Sequence, residues 1–146
     1  MTNTLFISAL LIGLLLFFTS CKTYYIPVES FRQQLSGFDS SNMREVTTRG
    51  PVGDRVTYKT YPIDIIHAVD KGGNPVNIPN SPAIEVRITD TANKKTIFYF
   101  DVIQFDGENI IGRQSRFISS IKKTIPLSSI KTIEVQNGRK NFRYVQ

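Results

Sequence analysis

His67 is the only imidazole in the chain, and Asp64 and Asp70 each lie three residues from it. On a strand that odd spacing puts both carboxylates on the face opposite the ring. A Ser–His–Asp relay would therefore need a distant Ser and a distant Asp, and no Gly-x-Ser-x-Gly segment supplies the nucleophile. His67 reads instead as a strand residue with a local hydrogen bond. Asp101, Asp106 and Glu108 lie close in sequence, but Asp106-Gly107-Glu108-Asn109 offers too few oxygen ligands for more than a weak cation loop. A tight turn around Gly107 explains the same residues. Asp70-Lys71-Gly72-Gly73-Asn74 reads as a turn too, since Gly and Asn accept positive φ. One His and one Cys are too few for a multi-histidine metal site, a Cys-rich zinc site or an internal disulfide. No P-loop or dinucleotide fingerprint is present. The expectation is a protein that is not an enzyme, with no catalytic residues, no metal and no cofactor.

Cys21 carries a different chemistry. Residues 1–21 hold no charged side chain, and Leu5 to Phe18 is apolar except for Ser8 and Gly13. That run suits the core of a signal peptide and falls short of the ~20 residues of a spanning helix. Thr19-Ser20-Cys21 closes it, and Lys22 follows. The segment resembles a bacterial lipoprotein signal peptide, in the loose form common in Bacteroidota. Ser20 matches the small residue before the cleavage point, and Cys21 matches the residue that receives the diacylglyceryl thioether. Phe18 stands where Leu is usual, and the leader lacks Lys and Arg. An uncleaved membrane anchor and an ordinary secretion signal are the alternatives. The resemblance implies a palmitate-bearing anchor in the cell envelope. Lys22-Thr23-Tyr24-Tyr25 lacks both the Asp that resembles inner-membrane retention signals and an acidic surface-export run. That implies the outer membrane, facing the periplasm.

The net charge of +6 comes from 18 Lys and Arg against 12 Asp and Glu. All of it falls after residue 110: Arg113, Arg116, Lys122, Lys123, Lys131, Arg139, Lys140 and Arg143 are opposed only by Glu134. Phe117, Phe142 and Tyr144 interleave with them. An exported protein rarely meets nucleic acid, so none is expected as a partner. Arg113, Arg116, Lys122, Lys123, Arg139, Lys140 and Arg143 are instead candidates for contact with an anionic lipid or glycan, or with an acidic envelope protein. Solvated strand edges, which use Lys and Arg against aggregation, would look the same.

The elements that must position these residues are mostly strands. Pro27 to Leu35 predicts a short helix with Val28, Phe31 and Leu35 on one face, stopped at Gly37. Such a face suits a partner or, more simply, the protein's own core. Asp39 to Asp54 is polar and Gly/Pro-rich and reads as a loop. From Arg55 the pattern alternates: candidate strands cover 55–61, 63–69, 76–78, 83–89, 96–105, 108–112 and 132–136. In 83–89, Ile84, Val86 and Ile88 face in and Glu85, Arg87 and Thr89 face out. The apolar stretch Ile97-Phe98-Tyr99-Phe100 suggests a central strand. Asn137-Gly138 predicts a hairpin returning over 139–145. Ile125-Pro126-Leu127-Ser128-Ser129-Ile130-Lys131-Thr132-Ile133-Glu134-Val135 resembles the closing strands of small SH3- or Sm-like barrels and of PH/GRAM-like domains.

The reading is mainly β: a small sandwich, roll or barrel of about seven or eight antiparallel strands with a short N-terminal helix. Residues 1–20 form the signal peptide, 21–54 a tether with helix and loop, and 55–146 the β domain. The expected role is a lipid-anchored, non-enzymatic binding or scaffolding module. A small envelope hydrolase acting on peptidoglycan, glycan or lipid and a hydrophobic-ligand binder are the alternatives. The last of these predicts an apolar cavity inside the barrel.

Overall fold

The computed structural model describes residues 22–39 and 41–145. These form a mainly β, sandwich-like fold with one α-helix and twelve strands in three antiparallel sheets. The large sheet runs β5 (Pro75–Pro79), β4 (Ile65–Val69), β1 (Tyr24–Tyr25), β11 (Ile130–Asn137), β6 (Ile84–Asp90), β7 (Lys95–Tyr99). A second sheet orders β10 (Lys122–Pro126), β9 (Asn109–Arg113) and β8 (Gln104–Asp106). The third orders β12 (Arg143–Val145), β2 (Arg44–Arg49) and β3 (Arg55–Thr60).

Helix α1 (Val28–Ser36) follows Pro27 and stops at Gly37. Its Phe31 and Leu35 are fully buried, so the apolar face serves the protein's own core. It lies against β4 and β11 of the large sheet and β8 of the second. Register explains the main core. Val86 sits opposite Val135 and Phe98, and Ile88 opposite Ile133, so one face of the large sheet is apolar. The second sheet closes this core with Ile110 and Ile125, and Phe105 stands 6.1 Å from the Phe31 ring. Gly112 lets the sheets approach: a Cβ there would lie 2.4 Å from the Phe98 ring. A smaller core gathers Tyr58, Tyr99, Val102 and Phe142 under the third sheet. Among the described residues every core side chain lies between Ile26 and Phe142.

Three successive hairpins share one turn. Gly50–Asp54, Asp70–Asn74 and Asp90–Lys94 each close with two backbone bonds, the first residue's N–H to the fifth carbonyl and the fourth N–H to the first. The fourth residue has positive φ each time: Gly53, Gly73 and Asn93. Asp70 and Asp90 also accept two backbone N–H bonds through Oδ1, which fixes those turns.

Several expectations need correction. The loop read over 39–54 contains β2, which pairs along its whole length with β3. Polar composition hid it, because its outward residues are Glu45, Thr47 and Arg49. Of the segment 21–54, expected as a tether, the described part is woven into the fold: β1 pairs with β11, and α1 supplies core. The strand read over 96–105 breaks at a buried 3-10 turn, Phe100–Val102, that turns Asp101 inward. Its first half, β7, is an edge rather than a centre, with Ile97 exposed. Asn137-Gly138 forms no hairpin. Asn137 Oδ1 takes the Arg139 N–H at 3.0 Å, Arg139 adopts positive φ, and β12 pairs with β2 in another sheet. Splitting of the 96–105 run, together with the short β1, β2 and β10, accounts for the excess over eight strands. By contrast, 125–135, where closing strands are expected, forms a strand, a short helical turn and a strand, with Leu127 and Ile130 buried.

Candidate functional site

His67 lies on β4 opposite Asn77, and its Nδ1 shares a 2.8 Å hydrogen bond with Asn77 Oδ1. Its backbone N–H and carbonyl both bond the Gln34 side-chain amide, at 2.8 and 2.9 Å, which extends the ladder beyond the two-residue β1. Glu108 leaves its turn to meet Arg32 at 2.6 Å. Asp70 is held below its ordinary carboxylate range, first by the Asn74 side chain and then by the backbone of its turn. Among the described residues no three His, Cys, Asp or Glu converge as a metal site.

The densest polar cluster is buried. Arg116 and Asp101 form an ion pair whose side chains are 1% and 0% exposed. Arg116 Nη2 donates to Asp101 Oδ1 at 2.8 Å, and Nη1 donates to Oδ2 at 3.2 Å. The Tyr58 and Tyr144 hydroxyls also donate to Oδ2, the latter at 3.0 Å. Arg116 further donates to the Tyr58 hydroxyl and to the Pro82 carbonyl. Its guanidinium carbon lies 4.1 Å from the Tyr99 ring centre and 5.2 Å from that of Phe142. Burial, then the Asp101 carboxylate, push the hydroxyls of Tyr58 and Tyr144 well above the ordinary phenol range. Burial opposes the Arg116 charge, but Asp101 outweighs it and raises the guanidinium's proton affinity. Asp101 therefore joins the 3-10 turn, the loop after β9 and the third sheet. It is a structural clamp.

This placement corrects the basic surface. Arg116 cannot reach an anionic partner. Lys140 turns back onto Glu85 at 2.7 Å and Tyr99 Oη at 2.9 Å, and so buries Glu85, expected to face out. Lys123 donates to the Thr96 hydroxyl, and Arg113 lies 5.9 Å from the Tyr58 ring centre. Lys122, Arg139 and Arg143 are exposed. Ser20 and Cys21 lie outside the described residues.

Two further arginines belong beside Arg143. Strand register aligns Arg143, Arg49 and Arg55 across β12, β2 and β3. Residues directly opposite share a face, and all three are exposed. None of them takes part in an ion pair among the described residues. Arg49 and Arg55 flank the Gly50–Asp54 turn symmetrically, a signal that becomes visible only if the segment is read as a hairpin. The register with Arg143 depends on a long-range crossover that the sequence does not display.

Apolar side chains project from the same end. Val52, at the tip between Arg49 and Arg55, is 90% exposed. Phe117 is 57% exposed and packs 6.3 Å from the Phe142 ring, next to Arg143. Ile118 and Ile121 are exposed on the same loop. A surface groove of about 510 Å³ runs between Lys22, Ile78, Ile84, Asn137 and Arg139. It opens on the surface and is lined in part by the core residues Ile84 and Val135. The gap beneath Leu35, Tyr61 and Asn80 has no room for a ligand. No helix among the described residues is long and apolar enough to cross a membrane.

No protein-family model, curated protein or solved structure matches the chain.

Proposed function

We propose that this is a lipid-anchored envelope protein whose β fold is a non-enzymatic binding module held at the membrane. The observation that carries this is the uncharged apolar run Leu5–Phe18 ending at Ser20-Cys21. The described fold runs from β1 (Tyr24–Tyr25) to β12 (Arg143–Val145). A chain cut before Cys21 would keep those packing elements and could use Cys21 for attachment alone. One acyl chain holds a protein to a bilayer only marginally, whereas two or three hold it stably. The outer membrane, facing the periplasm, is the proposed location.

The polar chemistry fits binding better than hydrolysis. The buried carboxylates Asp101 and Glu85 are neutralised by Arg116 and Lys140, and the His67 ring bonds an amide. Metabolic labelling with a palmitate analogue tests the anchor. Label should enter the wild type and vanish in Cys21→Ser. Equal labelling of both proteins would defeat the proposal.

A further inference from the structure

We infer that the row Arg143–Arg49–Arg55, with the exposed Val52 in the turn between Arg49 and Arg55, docks on the anionic phospholipid headgroups of a bilayer. The inference deepens the lipid-anchor reading, which brings the protein to such a surface. Like charges directly opposite on neighbouring strands destabilise a sheet. Three in a row, none of them in an ion pair, leave their guanidinium charges without a bonded carboxylate. Adjacent strands lie about 4.8 Å apart, so the row spans roughly 10 Å. Guanidinium groups suit phosphate, which they bind through paired N–H donors.

The apolar tips select a bilayer over a soluble polyanion. Val52 is the third residue of the turn that joins the two arginine-bearing strands, and it is 90% exposed. Phe117, 57% exposed, packs on Phe142, the residue before Arg143. A phosphate-rich surface over hydrocarbon satisfies both kinds of side chain, as interfacial segments generally require. The chain's entry agrees. Lys22 lies along the groove that Arg139 also lines, and Arg139 is four residues from Arg143, at most about 14 Å of extended chain. An anchor preceding Lys22 would keep the row within reach of such a surface.

The test uses the mature span 21–146 with Cys21→Ser, added to vesicles of phosphatidylcholine alone or mixed with phosphatidylglycerol. Binding should require phosphatidylglycerol and weaken with added salt. Arg49→Gln/Arg55→Gln/Arg143→Gln should lose roughly 10²-fold in partitioning, from the attraction of three arginines near an anionic surface. Val52→Asp should lose several-fold with the row intact. Unchanged thermal melts establish that both variants are folded. Equal partitioning of wild type and row variant overturns the inference. So does capture by soluble dextran sulfate without vesicle binding, which would mean a polysaccharide partner. Because the span carries no lipid, this result stands apart from the palmitate experiment: either can fail alone.

Discussion

Removing the Arg116 charge should unfold the protein more than any surface change of equal size. Asp101 receives four hydrogen bonds, two of them from Arg116 and one each from Tyr58 and Tyr144. Arg116→Met leaves a carboxylate, at 0% side-chain exposure, with two tyrosine donors and no counter-charge. It also frees the Pro82 carbonyl. Breaking a buried ion pair by removing one partner costs about 3–5 kcal/mol. Domains of this kind have only about 5–15 kcal/mol in total. The double variant Arg116→Met/Asp101→Leu removes both charges and should cost less than the sum of the singles, with a coupling of about 2 kcal/mol or more. Urea melts followed by far-ultraviolet circular dichroism and tyrosine emission measure this, since the chain has no Trp. A loss below about 1 kcal/mol for Arg116→Met, the scale of an exposed pair, would refute the clamp.

Two further outcomes follow from the same packing. Tyr58 and Tyr144 hold their phenolic protons more tightly folded than unfolded. Their stabilisation is complete below the ordinary value of 10.0 and is lost as pH climbs above it, by up to about 1.4 kcal/mol per unit for each tyrosine. Urea midpoints should therefore fall above that pH, and Tyr144→Phe should make the fall shallower; an unchanged slope would contradict the assignment. Gly112→Ala sets a methyl against the Phe98 ring and should cost about 1–3 kcal/mol by overpacking. A melt at the wild-type temperature would mean that the two sheets are not in such close contact.

What could be read from sequence was local. Val28, Phe31 and Leu35 gave the helix and its buried face, and Ile84, Val86 and Ile88 gave the core side of β6. The strand, turn and strand over 125–135 needed only alternation around Pro126. What escaped depended on distant partners. Asn137-Gly138 has the composition of a hairpin, but the chain there bends past Glu85, whose carboxyl carbon would lie 2.7 Å from a Cβ on Gly138. The Lys140–Glu85 pair then holds the crossover and delivers Arg143 to β2. Arg116 looked like one cation among eight, because nothing nearby in sequence announces that Asp101 turns inward to meet it. The exposed arginine row was split among a segment read as loop (Arg49), the first candidate strand (Arg55) and the last (Arg143), so charge counting along the chain could not assemble it.

The position of β11 sets the order in which the chain can fold. It lies between β1 and β6, so the first strand, flanked by β4 on one side, takes its other neighbour from almost the last. Until residues 130–137 are available, the large sheet is two separate pieces, β5-β4-β1 and β6-β7, with open edges able to pair with another molecule. Such distant pairing belongs to the slow regime of milliseconds to seconds. A chain emerging N-terminus first cannot complete this sheet in passing. It must stay loosely structured until nearly its whole length is free, and a truncated product ending before β11 should aggregate rather than settle.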